Sequence, residues 1–89
     1  MNLNETELFR IKRNIIKKLY AKKAFRKGHL LFDTLKSGIP KHLEGFVGDA
    51  LEQLIKEGLV VSYGKTKYGT AYQLNIENLK EIEEIIFQK

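Results

Sequence analysis

Leu8, Ile11, Ile15 and Leu19 recur at spacings of three and four, and Phe9, Ile16 and Tyr20 widen the stripe. This pattern predicts one amphipathic helix from about Thr6 to Lys23. Its entry lies at Asn4 or Thr6, with Glu5 and Glu7 in the first turn, where acids complement the helix dipole. After Gly28, the run His29 to Lys36 predicts a short second helix, and Ser37-Gly38-Ile39-Pro40 a turn. Phe46, Val47, Ala50, Leu51, Leu54 and Ile55 mark a third helix. It begins either at Pro40, with Gly45 and Gly48 inside at a cost of about 1 kcal/mol each, or near Glu44 or Gly45. Gly58 suits the left-handed position after its end.

Leu59-Val60-Val61-Ser62-Tyr63 and Ala71-Tyr72-Gln73-Leu74-Asn75 have the composition and alternation of strands, joined through Gly64 to Thr70 as a hairpin with a protruding tip. Tyr63 and Tyr72 are expected to pack on the core and Tyr68 to stay at the tip. Leu79, Ile82, Ile85 and Ile86 align on a final helix from about Glu77 to Phe87, capped by Asn75 or Asn78, with Glu81, Glu83 and Glu84 toward solvent. The expected fold class is mainly α with a small β-hairpin, α+β, in the order helix-helix-helix-strand-strand-helix. At 89 residues, 43% of them hydrophobic and one of them Pro, the chain is expected to form one domain over residues 1–89.

Composition narrows the chemistry. No cysteine is present, which removes disulfides, thiolate zinc sites and a cysteine nucleophile, and agrees with a reducing compartment. The N-terminal residues lack the unbroken apolar core of a signal peptide, and no run of about 18 apolar residues occurs. A cytoplasmic protein without a membrane partner is expected. His29 and His42 lack a paired ligand spacing, and no Ser-His-Asp set or phosphate-cradling glycine loop is present. The expectation is therefore no enzyme, no cofactor, no metal and no small-molecule ligand.

The net charge of +5 is unevenly spread. Residues 1–28 carry nine Lys and Arg against two Glu, residues 29–58 three against five acids, residues 59–75 two against none, and residues 76–89 two against four. Such a polarised field suits a polyanion or is simply a solvated basic helix.

The segment Ala50-Leu51-Glu52-Gln53-Leu54-Ile55-Lys56-Glu57-Gly58-Leu59-Val60-Val61 resembles the junction of recognition helix and wing in the winged helix-turn-helix superfamily. The run Lys65 to Asn75 looks like the wing and return strand of small archaeal winged-helix transcriptional regulators. The resemblance covers nearly the whole chain. It implies a double-stranded DNA-binding transcriptional regulator, with the third helix in the major groove and the 64–70 wing on backbone phosphate. The groove-facing side would then be Gly45, Gly48, Asp49, Glu52, Gln53 and Lys56. Gln53 suits adenine and a carboxylate can accept from cytosine, but Asp49 and Glu52 oppose phosphate. The two glycines either let the helix backbone approach DNA or accommodate a tight neighbouring element.

Better suited to phosphate are Lys41 and His42 at the start of the third helix, and Lys65, Thr66 and Lys67 at the hairpin tip, with Tyr68 as an aromatic contact. Arg26 and Lys27 would add backbone contacts. The broad apolar stripes of the first and last helices predict a homodimer through one or both. Two rivals remain. The acidic third-helix face also fits a protein-interaction module in a larger assembly, and charge alone fits a sequence-tolerant nucleic-acid binder.

Overall fold

The computed structural model describes residues 5–25 and 28–87. Among the described residues there are four α-helices and a three-stranded antiparallel sheet. Helix α1, Glu5–Ala21, buries Ile11, Ile15, Ile16 and Leu19, the stripe set by its three-and-four spacing. A two-residue strand β1, Leu30–Leu31, leads into the single-turn helix α2, Phe32–Lys36, which buries Leu35. Helix α3, Val47–Lys56, buries Val47, Ala50, Leu51 and Leu54. Strands β2, Val60–Thr66, and β3, Gly69–Leu74, form the hairpin, and helix α4, Leu79–Phe87, buries Ile82 and Ile86. These residues, with Leu59, Val60 and Leu74, make one hydrophobic cluster, and no buried polar side chain lacks a partner among the described residues.

The first helix ends at Ala21 rather than Lys23, the last is α-helical only from Leu79, and three further differences from the sequence expectation have a physical reason. The predicted helix His29–Lys36 splits. Leu30 and Leu31 pair with Tyr72 and Ala71, so that β3 lies between β1 and β2 instead of leaving backbone groups of its second edge unpaired. The third helix begins as a 3₁₀ turn, Lys41–Phe46, and becomes α-helical only at Val47. Pro40 stands just before that turn in an extended conformation, and Gly45, a weak helix former, lies inside it. The predicted seven-residue hairpin loop shrinks to the two-residue turn Lys67-Tyr68, because the strands continue to Thr66 and Gly69.

At the end of α3, Gly58 adopts φ +79, while its N–H reaches the Ile55 carbonyl and the Leu59 N–H reaches Leu54. This pair of bonds is a Schellman closure, which needs the left-handed residue glycine supplies without strain. The Gly58 carbonyl then accepts from the side-chain amides of Asn75, at 2.8 Å, and Asn78, at 2.7 Å. Asn75 also caps the 3₁₀ turn Ile76–Asn78 by accepting from the Glu77 N–H at 3.1 Å. The two asparagines thus tie the start of α4 to the point where α3 becomes β2.

Candidate nucleic-acid interface

The hairpin leaves the core quickly. Val60 is buried, whereas residues 61–65 and 67–69 are exposed. The register runs Val60↔Leu74, Val61↔Gln73 and Ser62↔Tyr72, then slips to Gly64↔Ala71, so Tyr63 is the extra residue of a β-bulge. Gly64 takes φ +115 there. The tip is held by Thr66, whose hydroxyl donates to the Gly69 carbonyl at 2.7 Å and accepts from the Tyr68 N–H at 3.1 Å. Thr66 therefore works inside the turn, and the free cations of the tip are Lys65 and Lys67, both exposed. The Lys67 ammonium sits 5.9 Å from the ring centre of Tyr68, which is itself 73% exposed. No acid occurs in residues 59–75, so nothing on the hairpin neutralises these charges.

Lys41 and His42 are exposed on the 3₁₀ turn that precedes α3. The hairpin leaves from the opposite end of α3, and roughly 15 Å of helix separates the two groups. On α3 itself, Asp49, Glu52 and Lys56 are exposed at three-and-four spacing, on the side away from the buried residues. Gln53 is exposed too, but its side-chain oxygen accepts from Lys12 at 3.4 Å, and Glu57 one turn later pairs with the same ammonium at 2.7 Å. These two residues form the flank facing α1. Gly45 and Gly48 have no positive φ, and a Cβ at either would meet nothing within 4 Å. The idea that they accommodate a tight neighbouring element of this chain is thereby removed. Arg26 and Lys27 lie outside the described residues.

Several cations of α1 prove to be structural. The Arg13 guanidinium donates to the carbonyls of Ile85, at 3.1 Å, and Ile86, at 2.9 Å, closing the last turn of α4. Lys18 donates to the carbonyls of Thr34 and Leu35 at the end of α2 and to the Ser37 hydroxyl, and burial lowers its pKa. Glu83, expected to face solvent, accepts from the Tyr20 hydroxyl at 2.7 Å, and this bond is the first cause of the raised Tyr20 pKa. Phe87 meets Tyr20 edge-on, with ring centres 5.9 Å apart. Much of the apolar stripe on α1 and α4 is thus covered by the other helix, though Phe9 and Phe87 stay exposed.

Sequence reasoning missed one pair altogether. Tyr63 does not pack on the core; it is 54% exposed, and its ring stacks on His29 with centres 4.9 Å apart and planes 17° from parallel. The bulge turns Tyr63 onto the outer face of the sheet, while Tyr72 packs against the core as expected. Among the described residues there is no cluster of three or more His, Cys, Asp or Glu able to hold a metal ion, and no helix long and apolar enough to cross a membrane. No protein-family model, curated protein or solved structure matches the chain.

Proposed function

We propose that the chain is a winged helix-turn-helix protein that binds double-stranded DNA in the cytoplasm and regulates transcription. Support comes from the order of elements, α1, β1, α2, α3 and then a hairpin, in which α2 and α3 are joined through Gly38, Pro40 and the 3₁₀ turn Lys41–Phe46. The observation that carries the reading is the hairpin tip: two exposed lysines and an exposed tyrosine on a ribbon without a single acid. In this arrangement Lys65 and Lys67 bind backbone phosphate, with Lys56 at the same end of α3, and Lys41 and His42 add a second phosphate contact at its far end. Gly45 and Gly48 let the start of α3 approach the duplex. A second copy meets the exposed Phe9 and Phe87 on α1 and α4 and places two such units on one duplex.

The test compares wild type with a Lys65→Ala/Lys67→Ala variant on random duplex DNA across a salt series. Two lost phosphate contacts should lower affinity about 10- to 100-fold near physiological salt and reduce the slope of log K against log salt by about two. Sedimentation of the same samples should give about twice the 10.3 kDa chain mass. Absence of duplex binding by the wild type at low salt rejects the DNA reading. A second reading, a protein-interaction module, is favoured by Asp49 and Glu52 on the outward side of α3, and that outcome would move the assignment to it.

A further inference from the structure

The outer face of the sheet carries a feature that neither core packing nor groove binding uses. By strand alternation, Ala71 points away from the main core, and it is absent from the core cluster although it is fully buried. The bulge sets Tyr63 opposite Ala71, and the pairing of Leu30 with Tyr72 brings His29 to the other side of β3. The two rings stack across the central strand and leave over half of Tyr63 open to solvent. Beside it, Gly64 takes φ +115 and adds no side chain to this part of the ribbon. Lys65 and Lys67 follow on the same strand and turn, within roughly 13 Å of Tyr63 along the chain. Tyr68 ends the series as the second exposed ring.

We infer that this ribbon binds an unpaired DNA strand continuing from a duplex, with one base stacking on Tyr63 as a third layer of the His29–Tyr63 stack. Aromatic rings alternating with cations are what an unpaired strand requires: each base offers a π-face, and each phosphate a negative charge. A paired duplex keeps its bases stacked on one another and gives Tyr63 nothing comparable. Lys65 and Lys67 suit the phosphates of either nucleic acid, and DNA is the strand because the proposed function makes this hairpin a DNA contact. The inference rests on the hairpin being a nucleic-acid contact, as in the proposed function, but not on α3 entering a groove.

The chain has four tyrosines and no tryptophan, so tyrosine fluorescence follows binding and the Tyr63 variants assign it to that ring. The probe is an oligothymidylate of about twelve residues, with an oligouridylate of equal length and a blunt duplex in parallel. The oligothymidylate should quench wild-type fluorescence on binding. Tyr63→Leu should lose at least about fivefold in affinity for it, in line with the loss of one stacked base, and bind the blunt duplex within about twofold of wild type. Tyr63→Phe, which keeps the ring, should retain binding and shows that a loss in the leucine variant comes from stacking rather than from altered folding. Duplex binding without oligothymidylate binding overturns this inference and leaves the proposed function standing; failure of both ligands overturns both. Equal oligothymidylate affinity of the leucine variant and wild type, or tighter binding of the oligouridylate, also overturns it.

Discussion

Helix α1 and the hairpin are both basic, yet their charges do different things. Of the five cations on α1, three are engaged within the molecule: Lys12 bridges to Glu57, and Arg13 and Lys18 close the C-terminal ends of α4 and α2. Arg10 and Lys17 stay exposed. The hairpin has only two cations, but both are exposed and no acid lies on their ribbon. A positive charge seated among carbonyls has part of its field already answered, whereas an exposed one without a counter-charge acts on whatever approaches. The helix with five cations therefore leaves exposed only as many as the hairpin with two, and a count of charges along the chain overstates the difference between the two regions.

The comparison breaks most visibly at Arg13. Each of its two bonds joins a charged donor to a carbonyl that the end of a helix leaves without an internal partner. Arg13→Met keeps the aliphatic stem and should cost about 2 kcal/mol in denaturant unfolding. Lys17→Met, on the same helix but exposed, should stay within about 0.5 kcal/mol. Equal losses in the two variants would mean that α1 holds its engaged and its exposed charges for a common reason.

How far the sequence reveals this division depends on the range of the interaction. The apolar stripes of α1, α3 and α4 were legible because helical spacing is local, and so was the stop at Gly58, where a helix end needs a left-handed residue. The cap at Asn75 was legible as one of two asparagines, each able to accept from a neighbouring N–H. Strand β1 was not: Leu30 and Leu31 serve a helix as well as a strand, and their pairing depends on β3, some forty residues later. The same holds for the Lys12–Glu57 pair, 45 residues apart, and for Arg13 and Ile86, 73 apart. The bulge at Tyr63 comes from a register slip, which composition does not encode. Hence the hairpin lysines could be singled out from the sequence, while the aromatic stack beside them could not.

The glycines sharpen the contrast between intramolecular need and exposure. Gly58 has φ +79, and a Cβ there would approach the Asn78 amide to 3.1 Å, so alanine should destabilise by about 1 kcal/mol. Gly48 has neither constraint and sits in the first turn of α3. Gly48→Ala should stabilise by about 0.5–1 kcal/mol, since it only removes the entropy cost of a helical glycine. If α3 approaches a duplex closely, the same substitution should weaken DNA binding severalfold. Opposite signs in the two measurements are expected; a variant more stable and equally tight in binding would remove Gly48 from the interface.

The smallest expected effect concerns pH, and it tests whether α1 and α4 are joined as described. Hydrogen bonding to Glu83 first, then burial and the Glu83 charge, raise the Tyr20 pKa above its ordinary value of 10.0. A group whose pKa is higher folded than unfolded stabilises the fold fully below its unfolded pKa, and that contribution is lost as pH rises through the folded value. Wild type should therefore exceed Tyr20→Phe in stability at neutral pH, with the gap closing above about pH 10. Tyr72, raised by burial, and Lys18, lowered by it, also titrate in alkali, but both are common to the two proteins and cancel in the difference. A gap that stays constant from neutral pH to beyond pH 11 would show that the hydroxyl contributes no proton-linked bond, and that packing of Tyr20 against Phe87 alone holds the two helices together there.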